Sequence, residues 1–231
     1  MYTNLRILTF GKGNFVPSQH RLAQHLSSIG IENQVHLTDQ DLDAYFLARY
    51  SDILLHKKGY GYCIWKPYLI LKELMTLKEG EVLLYIDSTD FPVPVFFDIV
   101  VDYFKDPREN REYLFLNRGF KHGDWTKRDT FVLMNCDTEE FHNHVQLEAG
   151  IVGLKKTKFT IKLVEEWLHH CSDSRILTEA PNVCGLPNLP SFQEHRYDQS
   201  VLTNLVVREK LPSYRLPESM LRYNFNQPSI Y

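Results

Sequence analysis

Five consecutive apolar residues, Val82-Leu83-Leu84-Tyr85-Ile86, run straight into Asp87-Ser88-Thr89-Asp90. An uninterrupted apolar strand of this kind belongs in a sheet that is covered on both faces. Such a sheet needs helices on either side, and the flanking sequence offers them. Upstream, Pro67 suits a first helical position, and Leu71, Leu74 and Leu77 share one side of the run until Gly80 ends it. Nearer the N-terminus, residues 5–10 read as a strand broken by Gly11-Lys12-Gly13-Asn14. Ser18 is placed to cap a helix facing inward through Leu22, Leu26 and Ile29, with Gly30 as its stop. Residues 33–37 read as a second strand, and Asp39 opens a short helix carrying Leu42, Tyr45 and Phe46.

Beyond residue 90 the alternation continues with helix 95–104, strand 112–117, helix 128–135 and strand 147–154. Next comes an amphipathic helix from Thr157 through Leu163, Val164, Trp167 and Leu168. Residues 173–194, rich in Pro and Asn, read as a long loop of the functional kind, and a last helix spans 196–208. Strands alternating with helices predict an α/β fold with a mostly parallel central sheet flanked by helices. With 43% hydrophobic residues in 231, the chain can bury a sizeable core and is expected to form one domain over residues 1–231.

Charge and cysteine content narrow the setting. A formal charge of −3 and a pI near 6.4 give no electrostatic case for nucleic acid or anionic membranes. No apolar run is long enough for a transmembrane segment, and the N-terminus lacks a basic region followed by an apolar one. Cys63, Cys136, Cys171 and Cys184 match neither a CxxC zinc frame nor a disulfide scaffold, so reduced thiols in a cytoplasmic protein are expected.

In open α/β sheets ligands bind outside the carboxyl ends of the strands, which directs attention to the residues just after Ile86. Asp87 and Asp90, three positions apart, can converge on a hard divalent cation such as Mg²⁺ or Mn²⁺; a turn stabilised by their own side chains is the plainer alternative. Upstream, Lys57-Lys58-Gly59-Tyr60-Gly61-Tyr62-Cys63-Ile64-Trp65-Lys66-Pro67 combines glycines, rings and ammonium groups just before a helix start. That combination suits a phosphate-bearing ligand, with Tyr62, Trp65 and Lys66 as candidate contacts; the alternative is that the rings are core and the lysines solvated. Neither Gly11-Lys12-Gly13 nor the His142-Asn143-His144 run has the context of a P-loop or a nuclease site.

The run from Gly59 to Tyr68, followed by Leu83-Leu84-Tyr85-Ile86-Asp87, resembles a group of bacterial and viral glycosyltransferase-like proteins. In that group a GYGYWIWKPY segment precedes an LLYxD strand. Trp125 to Phe131, Gln146-Leu147-Glu148-Ala149-Gly150 and His195 to Ser200 are similar to it in the same order, so the resemblance covers roughly residues 5–208. It implies a GT-A fold, a nucleotide-sugar donor with UDP-sugars favoured, a glycan-like acceptor, a role in polysaccharide biosynthesis, and often Mn²⁺ or Mg²⁺. By the same resemblance, Asp87 matches the first Asp of the DxD motif. Thr89 stands where the second is usual and Asp90 one place beyond, which leaves open which carboxylate binds the ion. Phe10 and Gly11 match the place where the nucleoside base is held, Tyr85 lies in the LLYxD strand, and Asp198-Gln199 resembles the DQ element near sugar and acceptor. The N-terminal half would then bind nucleotide and the half after about residue 120 would face the acceptor.

That resemblance makes Asp198 the candidate catalytic carboxylate; on chemistry alone, a carboxylate there could take a proton from an acceptor hydroxyl or offset charge at the anomeric carbon, and a helix N-terminal Asp interacting with the macrodipole is the alternative. Glu194 and Asp129 are rival bases. Two other readings use the same residues: a sugar nucleotidyltransferase, which releases pyrophosphate, and a module that binds sugar nucleotides or carbohydrate without catalysis.

Overall fold

The computed structural model describes residues 2–109 and 111–223, so the outermost ends of the expected domain lie outside the described residues. Its main sheet has five strands in the order β2 (Gln34–Leu37), β1 (Leu5–Phe10), β3 (Val82–Ile86), β6 (Val145–Lys155), β5 (Tyr113–Lys121). β1 pairs in parallel with both β2 and β3, whereas β6 runs antiparallel to β3 and to β5. All strands but β6 therefore point the same way, as the helix–strand alternation predicted. A separate two-stranded ribbon joins β4 (Asp90–Pro92) to β7 (Leu221–Tyr223).

The apolar run of β3 is buried at every position because both faces are covered. Leu83 and Tyr85 point into a core shared with Trp167, Val201 and Leu205 from the helices Lys158–Cys171 and Tyr197–Arg208. Val82, Leu84 and Ile86 point the opposite way, onto Leu22, Leu26, Phe96 and Phe97 of the helices Val16–Ser28 and Pro94–Lys105. This is the period-two alternation of a strand read on two apolar faces.

Helix ends differ from the sequence reading where local chemistry competes. The first helix begins at Val16 with a proline in its opening turn, so Ser18 is buried inside it and does not cap it. Thr38 and Asp41 form a reciprocal cap around a single 3₁₀ turn, and Asp43 then caps the helix Ala44–Arg49. The helix expected from Pro67 starts at Trp65. Between these elements the chain takes an unexpected course. Gly59, Tyr60, Gly61, Tyr62 and Cys63 have φ of 55°, 50°, 75°, 55° and 62°, a left-handed turn closed by Cys63 N–H donating to Gly59 O at 3.0 Å. Among the described residues no helix is long and apolar enough to cross a membrane.

Connectivity fixes where a ligand fits. From β1 the chain crosses to β2 on one side, then returns to β3 on the other, so the strand order reverses between β1 and β3. A crevice opens outside the carboxyl ends at such a reversal.

Candidate active site

A cleft of about 460 Å³ occupies that position. Phe10, Lys12, Gly13, Gly59, Tyr60 and Trp65 line it, together with Asp87 and Ser88. The left-handed turn places Tyr60 on the cleft and directs Gly59 O to accept a hydrogen bond from Trp65 Nε1 at 3.0 Å. Trp65 in turn stacks on Phe10, with ring centroids 4.0 Å apart. Lys12 is paired with Asp39 at 2.6 Å and sits 3.6 Å above the Tyr60 ring, leaving an ammonium group at the rim.

Behind Asp87 lies a charged cluster removed from water. Lys66, only 2% exposed, donates to Ala149 O at 3.0 Å and pairs with Asp87 Oδ1 at 3.3 Å and Asp198 Oδ2 at 3.6 Å. Burial pushes the Lys66 ammonium down, but Asp198 and then Asp87 outweigh it and hold the group well above the usual lysine value. Tyr85 donates to Asp87 Oδ1 at 2.6 Å; burial and the adjacent Asp87 charge keep its phenol protonated. Asp198 is pushed up to about 6 by burial, against the pull of Lys66, and its Oδ2 makes the ion pair without any hydrogen bond. Gln199 completes the cluster by accepting from Ala149 N–H at 3.3 Å.

A third carboxylate joins Asp87 and Asp90 on the other side of β6. A side chain built at Gly150 would meet Asp90 Oδ2 at 2.9 Å, Asp87 Oδ2 at 3.2 Å and Glu148 Oε1 at 3.7 Å, so these oxygens converge on one small space that only glycine leaves open. Burial, then the charges of Asp87 and Glu148, hold the Asp90 carboxyl well above the usual carboxylate range, and Arg118 and Lys66 offset this only in part. Glu148 is held by Arg118 at 2.9 and 3.0 Å. Among the described residues no three His, Cys, Asp or Glu side chains form a complete metal-ligand set. Two facing carboxylates, one of them disfavoured as an anion by like charges, nevertheless suit a hard divalent cation that takes its other oxygens from phosphate and water.

The structure thus brings Phe10, Trp65 and Asp87 onto the cleft and gathers Lys66, Tyr85, Asp198 and Gln199 immediately behind it, with Asp90 beside Asp87. Tyr62 does not line the cleft. Its ring packs 4.8 Å from that of Tyr197, in the core beneath the turn. Gly11 is packed as well, for a side chain there would come within 2.9 Å of Gln19 Oε1, and Gln19 ties together Thr9 O and Leu37 O. Of the rival bases, Asp129 accepts from the N–H groups of Val183 and Cys184, and Glu194 is paired with Lys58 and Arg196. Glu148 escaped the sequence reading. Its signal was a lone carboxylate within the apolar run 147–154, two residues before a glycine.

No protein-family model matches the chain, and no curated protein matches it either. Among solved structures, a glycosyltransferase involved in glycosylation of the major capsid of PBCV-1 is similar over 92% of this chain and 83% of that one, at 11% identity and a TM-score of 0.43. The apo form of the glycosyltransferase GlyE from Streptococcus pneumoniae TIGR4 is matched over 93% of this chain but 46% of that one, at 12% identity and a TM-score of 0.44. Apo mouse xyloside xylosyltransferase 1 is matched over 93% and 86%, also at 12% identity and 0.44. Likeness at this level says nothing of what this chain binds or transfers.

Proposed function

We propose that this protein is a GT-A-type glycosyltransferase that takes a sugar from a nucleoside diphosphate sugar, with uridine favoured, to a hydroxyl of a glycan-like acceptor. The observation that carries the reading is the cleft at the β1–β3 reversal, which joins aromatic side chains, an ammonium group and the Asp87 carboxylate in one space, with the buried Asp90 beside Asp87. Phe10, Tyr60 and Trp65 offer apolar faces to the nucleoside, and Lys12 lies where a diphosphate would pass. Asp87 and Asp90 would hold Mg²⁺ or Mn²⁺, which when bound supplies charge neutralisation for the departing diphosphate.

The chain's own part is to keep that end of the cleft rigid and charged. Tyr85 and Lys66 fix the Asp87 carboxylate in one orientation. Lys66 and Gln199 both anchor the backbone of Ala149, which ties β6 to the first turns of two helices. Asp198, behind Lys66, acts through charge, since its carboxylate opposes positive charge developing near the sugar while remaining 3% exposed.

Donor hydrolysis without acceptor tests the reading. A panel of nucleotide sugars incubated with Mn²⁺ is expected to yield nucleoside diphosphate from at least one member. Release of pyrophosphate from a nucleoside triphosphate and a sugar phosphate would instead identify a nucleotidyltransferase.

A further inference from the structure

A second cleft, of about 210 Å³, lies between the start of the helix Arg128–Leu133 and the irregular segment 179–195. Its walls carry the amides of Asn182, Asn188 and Gln193, the carboxylates of Glu179 and Glu194, and the ring of Phe192. We infer that this cleft is a subsite for a neutral sugar unit, and, resting on the transferase reading, that the unit belongs to the acceptor.

Three observations carry the inference. The first is charge. Glu179 and Glu194 both pair with Lys58 at 2.7 Å, Glu194 also pairs with Arg196 at 3.2 Å, and Lys127 pairs with Asp129 at 3.5 Å. Three carboxylates thus meet three cations around the cleft, so an ionic ligand finds no excess charge to bind. Asn182 and the Asn188 oxygen are engaged within the segment, which leaves the Gln193 amide, able both to donate and to accept as sugar hydroxyls require. Phe192 supplies an apolar face for the ring carbons.

The second is rigidity. A segment without regular structure would ordinarily lose affinity to the cost of ordering it. Here the backbone is already held. Asp129 accepts from Val183 and Cys184 N–H, Lys127 donates to Ala180 O at 2.6 Å, and Gln193 N–H donates to Asp124 O at 2.7 Å. Arg128 N–H donates to Asn188 Oδ1 at 2.8 Å, and Asp129 N–H to Asn182 Oδ1 at 3.2 Å. These bonds satisfy the first N–H groups of the helix Arg128–Leu133 and the buried Lys127 and Asp129, and in doing so they hold the walls of the cleft preformed.

The third is position. Lys58, which bridges the two glutamates of this cleft, stands between Lys57 and Gly59, and both of these line the larger cleft. One stretch of chain therefore lines the larger cleft and, through Lys58, holds the two glutamates of the smaller one.

Titration calorimetry with p-nitrophenyl β-glucoside, β-galactoside and β-xyloside at millimolar concentration, and separately with UDP, tests the assignment. At least one glycoside is expected to bind. Phe192→Ala and Gln193→Ala are expected to weaken it by about tenfold or more while UDP affinity stays within about twofold. Phe192 and Gln193 lie outside the larger cleft, and equal melting temperatures of the variants would show that the fold is retained. A folded, UDP-binding protein that takes none of the three glycosides overturns the inference, as does glycoside binding that both variants leave unchanged. Glycoside binding that depends on Phe192 in a protein that ignores UDP supports the subsite and removes the donor reading instead.

Discussion

Removing the Lys66 ammonium would leave Asp87 and Asp198 buried on either side of an uncharged space. Breaking a buried ion pair by deleting one partner costs about 3–5 kcal/mol, so Lys66→Met is expected to lower stability by that order in chemical denaturation. Asp198→Asn in the same chain should restore part of the loss, because the second charge no longer lacks a partner. A cycle of the two single variants and the double variant reads the coupling directly, and strict additivity would show that the cluster does not act as one unit. These roles were only partly legible. The aspartates stood out because they follow an apolar strand. Lys66, by contrast, reads as a phosphate contact or a solvated charge, since lysine is rarely buried. Its burial depends on β6 and the helix Tyr197–Arg208 closing over it, and residues 149 and 198 are too far away in sequence to announce that.

Gly61 marks the element on which the larger cleft depends. Its φ is +75°, and a side chain there would come within 3.0 Å of Leu54 Cα and 3.1 Å of Ile53 O. Gly80 has φ of +83° with nothing within 4 Å, which makes it the matched control. Left-handed backbone costs an L-residue about 1–2 kcal/mol, so Gly80→Ala should lose about that much. Gly61→Ala should lose more, about 3 kcal/mol, because backbone atoms must also move. Equal losses in urea denaturation would contradict the packing described for the turn. The regular elements were readable because burial leaves a periodic mark, as in Val82–Ile86 or Leu22 with Leu26. The left-handed turn leaves none, for Tyr60, Tyr62 and Cys63 are residues that rarely accept positive φ. Nor does the ribbon β4–β7, whose two short strands come from distant parts of the chain.

For the molecule as a whole, two buried histidines contribute a loss of stability in acid. Burial pushes His122 down to about 4, although Gln146 and Asn204 hold its ring; burial, followed by the Lys127 charge, pushes His195 down to about 3. An unfolded histidine titrates near 6.5, so above that pH neither state takes up the proton and the full contribution to stability is present. Below it the unfolded chain binds protons first, and stability falls as pH drops towards the folded values, by about 1.4 kcal/mol per pH unit for each histidine. Urea denaturation between pH 7 and 5 should show this slope, offset in part by Asp198 and Asp90, whose raised carboxyls take up protons in the folded state first; His122→Asn should remove about one histidine's share, and an unchanged slope in that variant would show that His122 is not buried neutral. The proposed function requires the crevice between β1 and β3 to bind a nucleoside diphosphate sugar beside Asp87 and Asp90. Titration calorimetry with UDP-sugars, with and without Mn²⁺, tests it most directly. The expected result is binding that strengthens with Mn²⁺ and that Asp87→Ala weakens by about tenfold or more. No nucleotide binding by the folded protein, or binding that neither Mn²⁺ nor Asp87→Ala alters, would contradict it.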